Sequence, residues 1–394
     1  MKAFLLKTSI IALSLFWGIS GGVRGQEPFP ELINDQEFRP VAQAAVDSVY
    51  NFNFEGAGDL LSPWQEKYPE HPLWMLIDAM ELWWKVLSNL EDTSHDEEFF
   101  YRMEKTNYEA SKLLRKNSSH ADGLIIKTVS NGYIARQYAN RDEWLNSINR
   151  ARKALNAHEY LLELQPELAD LKLAEGLKLY YSAYLPEAYP IVKTVSWFLP
   201  EGDKEKGLKF MQEAADHAIF ARAEATYFLG NINYNYQGDY DEAAKYFEQL
   251  YHDYPHNNYY ARMYVGSLYR MQQYDLAMEV INNSLKRWQE KDLPHQDVLN
   301  EELLTWKGRI LDRQGDTLQA AESFKKAFKA GEKLPNTCHR SFYVASGYHA
   351  GKLLYEKDDY PEARRYLEKV KDCKTGDRYK EQAGQLLQSM QTNN

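Results

Sequence analysis

The chain has 394 residues and a formal net charge of −10, with 44% hydrophobic and 14% aromatic residues. The acidic balance excludes nucleic-acid binding by a general basic field, and 29 Tyr with 9 Trp exclude a disordered chain. Only 21 Gly and 14 Pro argue against a turn-rich all-β protein, and a mean hydropathy of −0.63 with one apolar run excludes a polytopic membrane protein.

Residues 1–25 read as a secretory signal peptide. Lys2 and Lys7 supply the positive end, Ile10 to Ile19 the short apolar stretch, and Val23-Arg24-Gly25 a cleavage site before Gln26. Cleavage leaves 44 basic against 57 acidic residues, a mature charge of −13. The expectation is a soluble exported protein, periplasmic or secreted, with membrane contact only through an uncleaved leader or the apolar insert described below. Residues 26–37 are expected to be a linker.

From there one phrase recurs: a small residue, a bulky one four positions later, another apolar one three beyond, and often a proline. It opens weakly with Ala57, Leu61, Trp64 and Pro69, then Ala110 and Leu114. Ala154, Leu161 and Pro166 follow, with His158 at the bulky site, and then Gly207, Met211 and Ala214. These mark 38–222 as divergent helix pairs. An insert at 184–203, with Pro186, Pro190 and Pro200 around Trp197 and Phe198, interrupts the fourth pair. It reads as an extra helix packed on the pairs, with a lid as the alternative.

The phrase is clear in 223–375. Gly238-Asp239-Tyr240 leads to Ala243, Phe247, Leu250 and Pro255, and a step of 34 residues reaches Tyr274, Ala277 and Ile281. It returns as Gly315-Asp316-Thr317 with Ala320, Phe324 and Ala327, and as Asp358-Asp359-Tyr360 with Ala363, Leu367 and Val370. The small residue lets a second helix approach its neighbour, the bulky one fills the groove, and the proline stops the helix. No single pair buries its apolar face, so pairs must stack. The fold predicted is all-α, an α-solenoid of about eight pairs with a closing helix in 376–394. The polar excesses at 289–297 and 333–340 read as simple loops. Cys338 and Cys373, the only cysteines, fall at neighbouring ends of one antiparallel pair. Export allows them to pair as a disulfide, worth about 3.8 kcal/mol in the chain-entropy model.

The phrase resembles the tetratricopeptide repeat family, best over 301–330, where Leu304, Gly308, Leu311, Gly315, Ala320, Phe324 and Ala327 match family positions. In that family fixed positions of the first helix line an inner, concave face. Carried over, they give Phe228 and Tyr236, then Tyr259, Arg262, Tyr269 and Arg270, then Arg309, Asp312 and Arg313, then Tyr348, Lys352 and Tyr355. The resemblance implies a groove of bases and aromatics for a protein or peptide partner with anionic groups. The alternative at those residues is a self-neutralised surface in which Glu302, Asp312 and Glu356 pair with the bases.

Signatures for catalysis are missing, and neither a cofactor nor a metal is expected. Ser323-Phe324-Lys325-Lys326 matches a four-letter nucleophile pattern, but Phe324 is a packing residue, which puts Ser323 and Lys326 on ordinary helix faces. His252, Asp253 and His256 are split by Pro255 and read as turn residues. His158 reads as a hydrogen-bonded core histidine. The function expected is a non-catalytic scaffold for a protein or peptide. The alternative is a carrier of a small molecule, glycan or lipid, closed by the insert.

Overall fold

A computed structural model of the chain describes residues 29–193 and 200–392. The expected signal peptide and cleavage site, and Trp197 and Phe198 of the insert, lie outside the described residues. The helices belong to one compact unit, Glu31–Asn394.

They come in antiparallel pairs. The first four are α1 (Phe38–Tyr50) with α2 (Phe54–Lys67), α3 (Leu73–Ser88) with α4 (Asp96–Lys116), α5 (Ala121–Asn140) with α6 (Trp144–Leu164), and α7 (Leu171–Ala188) with α8 (Lys204–His217). Next are α9 (Arg222–Ile232) with α10 (Tyr240–Asp253), α11 (Asn258–Arg270) with α12 (Tyr274–Lys291), α13 (Asp297–Arg313) with α14 (Thr317–Gly331), and α15 (Ser341–Tyr355) with α16 (Tyr360–Lys371). The closing helix is α17 (Asp377–Thr392). The architecture is the all-α solenoid expected. Among the described residues there is no strand, and no helix is long and apolar enough to cross a membrane.

The repeated phrase has a local cause. Gly238, Gln272, Gly315 and Asp358, each between the two helices of a pair, all take positive φ, from 60° to 84°. That left-handed residue ends the first helix, and the next residue starts the second. Asp239, Asp316 and Asp359 then accept from the backbone N–H groups of Glu242, Gln319 and Glu362 at 3.1, 3.0 and 3.3 Å, as N-caps do. Every small anchor of the phrase is buried, with Ala110, Ala243, Ala277, Ala320 and Ala363 at 0% exposure. In the divergent fourth pair, a Cβ on Gly176 would stand 2.7 Å from the Gly207 carbonyl, so two glycines set the approach of α7 to α8.

Several expectations change. First, α7 runs on through Pro186 to Ala188, and residues 190–193 form one further turn with Val192 buried. His158 is buried, but neither ring nitrogen has a hydrogen-bond partner, and burial holds its pKa below the ordinary value. Ser323 is buried rather than on a free face. The two polar excesses are docking points, not simple loops. His295 lies 3.8 Å from the Glu81 carboxylate and against Phe54, and Asn336 Nδ2 donates to the Glu91 carbonyl at 3.0 Å. Within the segment expected as a linker, the N–H groups of Leu32 and Ile33 donate to the Asp122 carboxylate at 2.6 and 3.0 Å. One apolar core therefore contains residues of α1 to α5 together with those of the repeats from Ala223 to Ile310.

Candidate functional site

The first helices α11, α13, α15 and α17 lie side by side and present one continuous face. Its nearer part is covered by the chain itself. Trp84 of α3 packs against Tyr259 and Tyr260, each ring centroid 5.9 Å away. Asn257 Nδ2 donates to the Tyr50 carbonyl at 2.7 Å, the Tyr254 hydroxyl to Asp47 at 2.8 Å, and the His256 N–H to Asn51 Oδ1 at 2.9 Å. The His252–Asp253–His256 cluster is thus dispersed, and among the described residues no group of acids, histidines and cysteines could hold a metal. At the centre of the seal, Glu224 accepts from Tyr50, Tyr133 and Arg136, each at 3.1 Å. Arg136 is stacked on Trp83, Tyr227 and Phe228 at 5.0, 4.9 and 5.1 Å. Burial opposes its charge, but Glu224 and the surrounding tyrosines raise its pKa above the ordinary value.

Arg262 belongs to this covered part. It donates to Glu302 at 2.7 Å, lies over the Tyr259 ring at 4.2 Å, and keeps 19% of its side chain exposed. It is spent within the fold, not free in a groove. Arg270 lies over Tyr240 at 5.5 Å, toward the second helix of its neighbour. Lys352 pairs with Glu356 at 3.2 Å, and Tyr355 packs on Tyr360. Two of the three expected neutralising acids, Glu302 and Glu356, therefore do pair with bases.

The remaining residues meet in one run. Tyr269 packs on Trp306 at 5.0 Å, and Trp306 on Phe342 at 5.8 Å. Arg309 lies over both Trp306 and Phe342, at 4.7 and 5.3 Å, and donates to the Tyr379 hydroxyl at 3.3 Å. Arg313 reaches the Tyr269 hydroxyl at 3.4 Å, and Tyr348 packs on Tyr379 at 5.2 Å. Among the described residues, neither Arg309 nor Arg313 has a carboxylate within ion-pair distance. Burial, then the charges of Arg309 and Lys352, push His349 down to about 3, so it stands neutral beside them. Chemically, the run offers one guanidinium over flat rings and a second held by a tyrosine hydroxyl, a setting that forks an anionic oxygen pair while the rings supply stiff apolar area.

Tyr269, Arg309, Arg313 and Tyr348 were implied by the family resemblance; Trp306, Phe342, His349 and Tyr379 were not singled out. Trp306 lies three residues before Arg309, so the rule that residues three apart share a helix face could have found it. Cys338 and Cys373 are joined sulfur to sulfur behind this run, with Cα atoms 4.6 Å apart.

Comparison with known proteins agrees with the repeat geometry. A sequence profile of the tetratricopeptide repeat matches residues 210–258 and 232–291. No curated protein matches the chain. Among solved structures, a tetratricopeptide repeat protein from Parabacteroides merdae ATCC 43184 is 17% identical over 79% of this chain and 99% of its own, with a TM-score of 0.31. Yeast Tom70 is 16% identical over 92% of this chain and 90% of its own, with a TM-score of 0.28. At those scores neither likeness carries an argument. The profile match places tetratricopeptide repeats within residues 210–291, where the helix pairs are turned and anchored by the same repeated residues.

Proposed function

We propose that the protein is an exported, non-catalytic scaffold that binds a protein or peptide segment through the open run of its first-helix face. Tetratricopeptide repeat proteins generally act as protein-interaction scaffolds. The observation that carries the finer reading is Arg309, a guanidinium over Trp306 and Phe342 with no carboxylate partner among the described residues. A cation left unneutralised in an acidic protein is placed for an anionic group of a partner, such as an acidic side chain or a chain end. Arg313, on the same helix face four residues on, supplies the second contact. Export is supported by the leader and by cysteines placed for a disulfide, which persists in an oxidising compartment.

The test uses the purified chain as bait in an extract of its own envelope fraction, beside an Arg309→Gln/Arg313→Gln variant of unchanged helicity. The reading predicts a protein retained by the parent and lost by the variant. Equal retention by both would contradict it.

A further inference from the structure

A second feature lies away from that run, between second helices. Between α4 and α6, over α5, is an open cleft of about 520 Å³. Its floor is apolar, with Leu124 and Ala157 buried. Its walls are polar and carry no carboxylate: Lys127, Lys153, Asn107, Asn156 and Ser118 line it, with Tyr160.

The charge arrangement is unusual for this chain. Lys127 Nζ reaches only the Ser111 hydroxyl, at 3.4 Å, and Lys153 has no partner among the described residues. The neighbouring acids are committed elsewhere. Glu104 is bound to Arg150, Glu109 to Lys112 at 2.6 Å, and Glu159 to Lys178 at 3.5 Å. Two unneutralised ammoniums in a concavity of a protein with net charge −10 call for an anion.

The rest of the lining narrows the class. Asn107 Oδ1 already accepts from Asn131 at 3.1 Å, so the Asn107 amide hydrogens remain to donate. With Asn156 and Ser118 they offer both donors and acceptors, which suits hydroxyl groups. Tyr160 is 56% exposed at the cleft and offers a flat apolar platform. Ammoniums for a charge, amides for hydroxyls and one flat ring together match a sugar ring bearing an acidic group. We propose that this cleft binds an acidic saccharide, its carboxylate or phosphate held by Lys127 and Lys153 and its ring stacked on Tyr160.

Titration calorimetry on the full purified protein tests this with four probes: digalacturonate, glucose 6-phosphate, maltose and inorganic phosphate. The expected result is saturable binding of at least one of the two acidic sugars, weakened by salt, with maltose and inorganic phosphate at least about tenfold weaker. Which acidic sugar binds distinguishes a carboxylate from a phosphate ligand. Lys127→Gln/Lys153→Gln should weaken binding by about tenfold or more, and Tyr160→Ala by a smaller factor. Lys153→Gln and Tyr160→Ala alter exposed side chains, so they keep the test readable if the double variant loses its fold. The proposal is overturned if neither acidic sugar saturates below about 10 mM, if maltose or inorganic phosphate binds as well as they do, or if the exposed-residue variants bind unchanged.

Discussion

Arg136 and Arg309 are both stacked on aromatic rings, yet they sit in opposite situations. Arg136 lies among Trp83, Tyr227 and Phe228 and is answered by Glu224 at 3.1 Å, a carboxylate that also accepts from Tyr50 and Tyr133. Arg309 lies over Trp306 and Phe342 and, among the described residues, is answered only by the Tyr379 hydroxyl. The same residue types build a closed seam in one region and an open surface in the other. What separates them is whether the fold supplies the counter-charge. A charge enclosed by the fold must be paired to be tolerated, whereas a half-buried guanidinium that still reaches solvent can wait for its partner.

The seam can be broken first. Trp84 is 2% exposed and touches Tyr50, Phe52, Tyr259 and Tyr260, so Trp84→Ala should cost roughly 3–5 kcal/mol in denaturant unfolding. A loss well under 1 kcal/mol would mean that the N-terminal helices do not pack there. The disulfide comes next. It closes the segment 338–373, just after Asn336, and removing it by Cys338→Ser/Cys373→Ser should cost roughly 2–4 kcal/mol. Unchanged stability in the double variant would show that the cysteines are not bonded.

Arg136→Met tests the counter-charge itself by leaving Glu224 with tyrosine donors alone. Because the two side chains keep 18% and 15% exposure, the cost should be about 2 kcal/mol, below that of a fully buried pair. Arg309→Gln is the matching change in the open run, and it should move stability by no more than about 0.5 kcal/mol while abolishing partner retention.

A pH comparison sharpens the contrast with a smaller effect. His349 packs on Phe324 and Tyr379, and its folded pKa of about 3 lies below its ordinary value of 6.5. Its contribution to stability is therefore fully present above pH 6.5 and is lost as pH falls from 6.5 toward 3. His349→Gln should remove that part of the acid sensitivity, and unfolding curves of both proteins across this range would show whether it does.

How much of this was legible follows from the range of the contacts involved. The eight small anchors, Ala57 through Ala363, and the turn residues Gly238-Asp239, Gly315-Asp316 and Asp358-Asp359 obey local rules, because a helix must end, restart and approach its neighbour within a few residues. Which part of the first-helix face stays open is not local. It is decided by Asn51 meeting His256 and Trp84 meeting Tyr259, contacts that no spacing within a repeat encodes. Arg262 illustrates the consequence. Its position in the repeat is equivalent to an inner-face residue, but Glu302 and Tyr259 absorb its charge. Likewise the loops at 289–297 and 333–340 look like polar excess until His295 and Asn336 are seen against the N-terminal helices.

The division of the first-helix face can be read directly by treating the folded protein with an arginine-selective dicarbonyl reagent and measuring each site by mass spectrometry. Arg309 and Arg313 should be modified well before Arg136 and Arg262, which their carboxylates and rings shield. Equal modification of all four would mean that the face is not divided, and the assignment of its open run to a partner would fall with it.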